Sequence, residues 1–106
     1  MESNRSLALL GLAARAGAVK SGGFLTEKAI QSGEAVFVII AEDASPGTKK
    51  RIQDKCKFYH VPYVLCDTQE GLGHRIGKEA RSCLALTDIN FGKQIGKSFG
   101  IEIQEV

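Results

Sequence analysis

The nonapeptide from Gly71 to Glu79, GLGHRIGKE, gathers three glycines, His74, Arg75 and Lys78 within nine positions. Glycines that bring the backbone close, with a lysine behind them, could hold a phosphate. Spacing tests this directly. A P-loop has a glycine, four residues, then Gly-Lys and a hydroxyl residue that holds magnesium. Before Gly77-Lys78 that first position is Leu72, and the residue after the lysine is Glu79, a carboxylate that would repel phosphate. The dinucleotide pattern needs a third glycine three residues after Gly73, where the chain has Ile76. Neither template fits.

Other reactive side chains are no better arranged. Cys56, Cys66 and Cys83 are far apart, form no Cys-x-x-Cys pair, and lie among apolar neighbours. His60 and His74 complete no zinc pattern with them. Burial is the expected role of the thiols, in a reducing, cytoplasmic compartment, although a Cys-His pair stays open. Neither a cofactor nor a metal is expected. Fourteen basic against twelve acidic residues give a net charge of +2, so the distribution of charge says more than its sum. Lys49, Lys50, Arg51, Lys55 and Lys57 decorate one segment, while Arg75, Lys78 and Arg81 gather around the nonapeptide. Lys20 and Lys28 flank Gly22-Gly23. Such clusters fit a polyanion, or simply solvated helix faces.

The elements that must position these residues can be read from periodicity. At 106 residues, 43% apolar and 25% charged, the chain fits one compact domain with no membrane span or signal peptide. A helix is expected from Asn4 to Ala16, stopped by Gly17, then a short extended piece from Ala18 to Ser21. A second helix follows Gly22-Gly23 and runs to Ser32, with Leu25, Ala29 and Ile30 as its apolar face. Val36 to Ile40 is a continuous apolar run, mostly β-branched, which predicts a strand buried on both faces. Ser45-Pro46 is a helix start, in which the hydroxyl accepts early backbone N–H groups and proline fits the first turn. That helix runs to Phe58 and turns Ile52, Cys56 and Tyr59 inward.

Further strands are expected at Val61 to Cys66 and Cys83 to Thr87. Between them a short helix capped by Asp67 or Thr68 buries Leu72 and Ile76. Gly73 would let that helix pack closely on its neighbour, and Gly77 would end it in the left-handed conformation. Asp88 or Asn90 opens a last helix through Phe99. Residues 1–99 then form a single domain, with 100–106 a tail or weak strand. Alternating helices and strands predict an α/β fold, a three-layer α/β/α sandwich around a mixed sheet of about four strands.

Taken together, LGLAARAGAVKSGG, LTEKAIQSGEAVFVIIAEDASPGTKKRI, KFYHVPYVLCDTQEGLGHRIGK and SCLALTD resemble the L-seven-Ae family of kink-turn RNA-binding ribosomal proteins. Agreement is closest with its bacterial YlxQ-like branch. These motifs follow the family's order over nearly the whole chain, and the family fold is an α/β/α sandwich. The resemblance implies recognition of sharply kinked RNA by the turn before the second helix and the start of that helix. Gly22 and Gly23 would bring the backbone and the helix N-terminus to the RNA. Lys28 matches the family's lysine, and Lys20 precedes the turn. Where archaeal and eukaryotic members carry an Asn-Glu pair that hydrogen-bonds G·A bases, this chain has Phe24-Leu25. Phe24 would either stack on a base or cover the core edge, and Leu25 is expected at the core edge. The loop Lys78-Glu79-Ala80-Arg81-Ser82 matches a second contact region, in which Lys78, Arg81 and Ser82 would meet the RNA. Ser45 lies near the family's extruded-base position, though its cap role suffices by itself.

The expected function is therefore a non-catalytic, ribosome-associated RNA-binding protein, monomeric, with structured RNA as its partner. A protein-binding adaptor of the ribosome or transcription machinery is the alternative. A nucleotide-binding enzyme ranks below both.

Overall fold

Two apolar tetrapeptides, Phe37–Ile40 (β2) and Cys83–Leu86 (β4), form the centre of the sheet, and each of their eight residues is fully buried. They pair antiparallel, with Ile40 opposite Cys83 and Phe37 opposite Leu86. Val19–Ser21 (β1) pairs antiparallel with β4, and Tyr63–Leu65 (β3) runs parallel to β2. The order is β1-β4-β2-β3, a mixed four-stranded sheet as expected. The computed structural model describes residues 2–104, with side chains from residue 7.

The helices are α1 (Glu2–Arg15), α2 (Gly23–Ser32), α3 (Pro46–Tyr59), α4 (Gln69–Arg75) and α5 (Ile89–Ser98). α2 links β1 to β2 and α3 links β2 to β3. Both are crossovers between parallel strands in the same direction across the sheet. Such connections are right-handed, which puts both helices on one face, where they pack on each other. α1 packs on α4 and α5 in the other layer. Strands without polar side chains demand this arrangement. Each fully buried aliphatic or aromatic residue contributes about 1.5–3 kcal/mol relative to exposure, and only two helical layers cover both faces.

Local signals set the helix ends. Ser45 Oγ accepts from Thr48 N at 3.2 Å at the start of α3. Of the alternatives open for α4, Thr68 is the cap, accepting from Gly71 N at 3.0 Å. Asp67 instead accepts from Arg75 Nε at 2.8 Å. Asp88 caps α5 through Asn90 N and Phe91 N.

Three side chains depart from expectation. Thr26, not Leu25, shares the buried face of α2 with Ala29 and Ile30. Leu25 stays 45% exposed, away from the core edge assigned to it. Its neighbour Phe24 is 74% exposed and covers no core either. Apolar periodicity passed over Thr26 because it is polar, yet its hydroxyl reaches the Lys20 carbonyl at 3.5 Å and so can be buried. Tyr59, expected inward, lies 40% exposed at the last turn of α3, edge-on to Phe58. Residues 101–104 form no strand, but Ile103 is buried and packs over Gly92 and Gly96 of α5. Glu105 and Val106, the end of the expected tail, lie outside the described residues.

The nonapeptide now has a structural account. Leu72 and Ile76 are buried, and Gly77 adopts φ +73° just past the end of α4. Gly73 is fitted closely, but to the following loop and not to another helix. A Cβ there would collide with the Glu79 carbonyl, while the Lys78 N–H donates to the Gly73 carbonyl at 2.8 Å. Arg75 is held by Asp67.

The thiols are structural. Burial, reinforced by the neighbouring Cys83, pushes the Cys56 thiol from its usual 9.0 up to about 12. Cys83 is raised by burial, against hydrogen bonds from Thr26 and Ser82 that lower it. Half-buried Cys66 is raised by burial and by Asp67 and Glu42. None is poised as a thiolate nucleophile.

Gly73→Ala should lower stability in urea denaturation by about 1–3 kcal/mol, because backbone must move to admit the methyl. Gly47→Ala, in open space at the start of α3, should raise it by about 0.5–1 kcal/mol. The Cys56 thiol holds its proton more tightly in the folded than in the unfolded chain. The stability it contributes is therefore complete below pH 9 and lost as pH rises toward 12. Denaturation between pH 9 and 11 should show a steeper decline for wild type than for Cys56→Ala.

Candidate nucleic-acid interface

Sheet register brings the candidate residues to one edge. Ser21 stands opposite Leu84, Ile40 opposite Cys83, and Leu65 beside Ile40. The ends of β1, β2 and β3 thus meet the start of β4. The β1–α2 turn, the β2–α3 and β3–α4 connections and the α4–β4 loop all emerge there.

Gly22 opens the turn at φ +90°, a conformation that disfavours any side chain, and its N–H donates to the Cys83 carbonyl at 2.8 Å. No side chain caps α2, whereas α3, α4 and α5 are capped by Ser45, Thr68 and Asp88. The first N–H groups of α2 therefore remain available to a ligand at the positive end of the helix dipole. Gly23 adds no bulk, and a Cβ there would meet nothing within 4 Å. Phe24 projects beside this end with the Lys28 ammonium 5.6 Å from its ring centroid, a cation–π contact across one helical turn.

Arg81 joins this turn to the second candidate region, residues 78–82. Its Nε donates to Ser21 Oγ at 3.1 Å, and Nη1 donates to the carbonyls of Glu79 at 3.2 Å and Ala80 at 3.0 Å. Its stem runs beneath Gly22. Its own N–H donates to the Gln69 carbonyl at 2.9 Å, and Gln69 binds Asp43 through its backbone N–H and side-chain amide at 2.8 and 3.1 Å. The Ser82 carbonyl accepts from Ala41 N at 2.8 Å. Four connections are tied into one ridge. Ser21, Gln69 and Asp43, which hold it together, carry no sequence signal for that role, since Ser21 and Arg81 are 60 positions apart.

Lys20, on edge strand β1, and Lys78 are exposed and make no ion pair among the described residues. Ser45 and Ser82 have local partners: the Ser45 hydroxyl caps α3 and donates to Thr48 Oγ1 at 3.0 Å, and the Ser82 hydroxyl donates to Cys83 Sγ at 3.6 Å. The basic cluster on α3 is largely engaged. Lys50 pairs with Asp54, Arg51 and Lys55 with Glu27 of α2, and Lys49 Nζ donates to the Glu42 carbonyl. The described residues contain no group of three or more His, Cys, Asp or Glu placed to hold a metal, and no helix long and apolar enough to cross a membrane.

Known proteins are similar to this chain in sequence and architecture. Residues 5–95 match the ribosomal protein L7Ae/L30e/S12e/Gadd45 family. The chain is 46% identical over 87 residues to the RNA-binding protein YlxQ of Bacillus subtilis (strain 168), covering 82% of this chain and 87% of that protein. It is 28% identical over 105 residues to large ribosomal subunit protein eL8 of Thermoplasma volcanium, covering 98% and 87%. A solved structure of a protein of unknown function from Bacillus halodurans C superposes with TM-score 0.86 at 36% identity, covering 90% of this chain and 96% of that one. The Giardia lamblia 15.5kD RNA binding protein superposes with TM-score 0.82 at 25% identity, covering 94% and 87%. Matched in sequence over most of its length and in fold by these relatives, the chain belongs to the ribosomal protein L7Ae/L30e/S12e/Gadd45 family.

Proposed function

We propose that this protein binds structured RNA, catalyses no reaction, and recognises a kink-turn-like element in ribosomal or other non-coding RNA. The observation that carries this reading is the Arg81 clamp. It sets the uncapped start of α2, with Gly22, Gly23, Phe24 and Lys28, beside the loop that bears Lys78. Names of relatives as RNA-binding and ribosomal proteins support the RNA partner. A cytoplasmic, ribosome-associated monomer is part of the same reading.

Backbone N–H groups at the start of α2 would bind phosphate oxygens or base edges in the groove that a kink opens. Lys20, Lys28 and Lys78 would neutralise phosphates, and the shape of the kinked RNA would supply most of the specificity. Arg81 spends its Nε and Nη1 donors on the protein itself. Its part in binding is to hold the two segments in register.

A second reading rests on Phe24 and Leu25, an apolar pair exposed at the turn. Such a pair would also suit a protein contact, as in an adaptor.

Titration should show tighter binding to a kink-turn RNA than to a G·A-disrupted version or an uninterrupted duplex of equal length. Equal affinities for all three would leave only a generic basic surface. Lys28→Ala and Lys78→Ala should each weaken binding and flatten the plot of log affinity against log salt by about one. Arg81→Ala should weaken binding with that slope unchanged, and a flattened slope would make Arg81 a phosphate contact. Should Phe24→Ala release a protein partner while the lysine variants leave function intact, the adaptor reading would replace the RNA one.

A further inference from the structure

We infer that the outer face of α3 is a second RNA-binding surface, which takes unpaired nucleotides next to the folded element held at the sheet edge. The inference rests on the proposed RNA-binding function but concerns a different face. Phe58 is 74% exposed at the end of α3 and stands edge-on to Tyr59, with ring centroids 4.9 Å apart at 75°. The two rings close one end of a shallow groove lined by Lys50, Arg51, Asp54 and Lys55. These residues recur at i, i+4 and i+8, so the groove runs about 12 Å along one face of the helix. That length accommodates roughly three stacked nucleotides.

Charge selects the occupant. Three cations line the groove, Lys50, Arg51 and Lys55, against one carboxylate, Asp54. The Arg51 and Lys55 contacts to Glu27 are long, at 3.6 and 3.5 Å, and the Lys50–Asp54 pair is open to solvent. The exposed Lys50 and Arg51 can therefore exchange carboxylate for phosphate at little cost, while Lys55 and Glu27 form a partly buried pair. An exposed ring beside a row of cations is the combination that binds single strands, by base stacking along a neutralised backbone. One side of the groove is bounded by α2, whose Glu27 meets Arg51 and Lys55.

The test compares one kink-turn RNA with the same RNA carrying an eight-nucleotide unpaired extension, using the intact protein. The extension should raise affinity by tenfold or more and steepen the salt dependence. Phe58→Ala should remove about tenfold of the affinity for the extended RNA, as loss of one stacked base would. It should leave the unextended RNA unaffected, and Phe58→Trp should keep the gain. If the extension adds nothing, or Phe58→Ala weakens both RNAs equally, the second surface is refuted while the first stands. Wild-type protein that binds neither RNA refutes the proposed function, and this inference with it. Phe58-dependent binding of an acidic amphipathic peptide, with no gain from the RNA extension, would assign the face to a protein and overturn the inference.

Discussion

β2 and β4 pair antiparallel at the centre of the sheet, and every other element is placed relative to that pair. Both strands consist of apolar residues buried on two faces, so neither is stable until helices cover the sheet from both sides. Their register sets Ile40 against Cys83 and brings the end of one strand to the start of the other. β1 pairs with β4 and β3 with β2, which carries two more strand ends to the same edge. The candidate interface is the set of connections that this register assembles. Core packing and the candidate interface are thus joined through hydrogen-bond register.

At that edge, stiffness comes from backbone fitted against backbone. The loop after α4 passes so close to Gly73 that no side chain fits, and Arg81 then spans from the loop to β1. The glycines that suggest a phosphate cradle in the sequence belong to this scaffold. Charge is divided in a similar way. Arg75 is held by Asp67 and Arg81 by Ser21 and two carbonyls, while Lys20 and Lys78 remain open to a polyanion.

Much of the fold was legible from local signals. The β-branched run predicted β2, Ser45-Pro46 marked the start of α3, and Gly77 marked the end of α4, because each acts within a few residues of its position. Apolar spacing misplaces a side chain where a hydrogen bond from a neighbouring element, or the end of a helix, decides burial. Thr26 is buried because the Lys20 carbonyl is there to accept its hydroxyl, and Leu25 is turned outward in consequence. Tyr59 matches the apolar spacing of α3 but lies at its final turn, where the core has already ended.

The class of the fold, the order of its elements, the family resemblance and the residue types of the candidate interface are all legible in the chain before it folds. These follow from periodicity, capping and motif order, all properties of neighbouring residues. Packing sets which of their side chains are exposed and which are held by other groups. Arg81 meets Ser21, 60 positions away, and Arg51 and Lys55 meet Glu27 on another helix. Contacts of that kind exist only after β2 and β4 have brought the loops to one edge and the helices into layers.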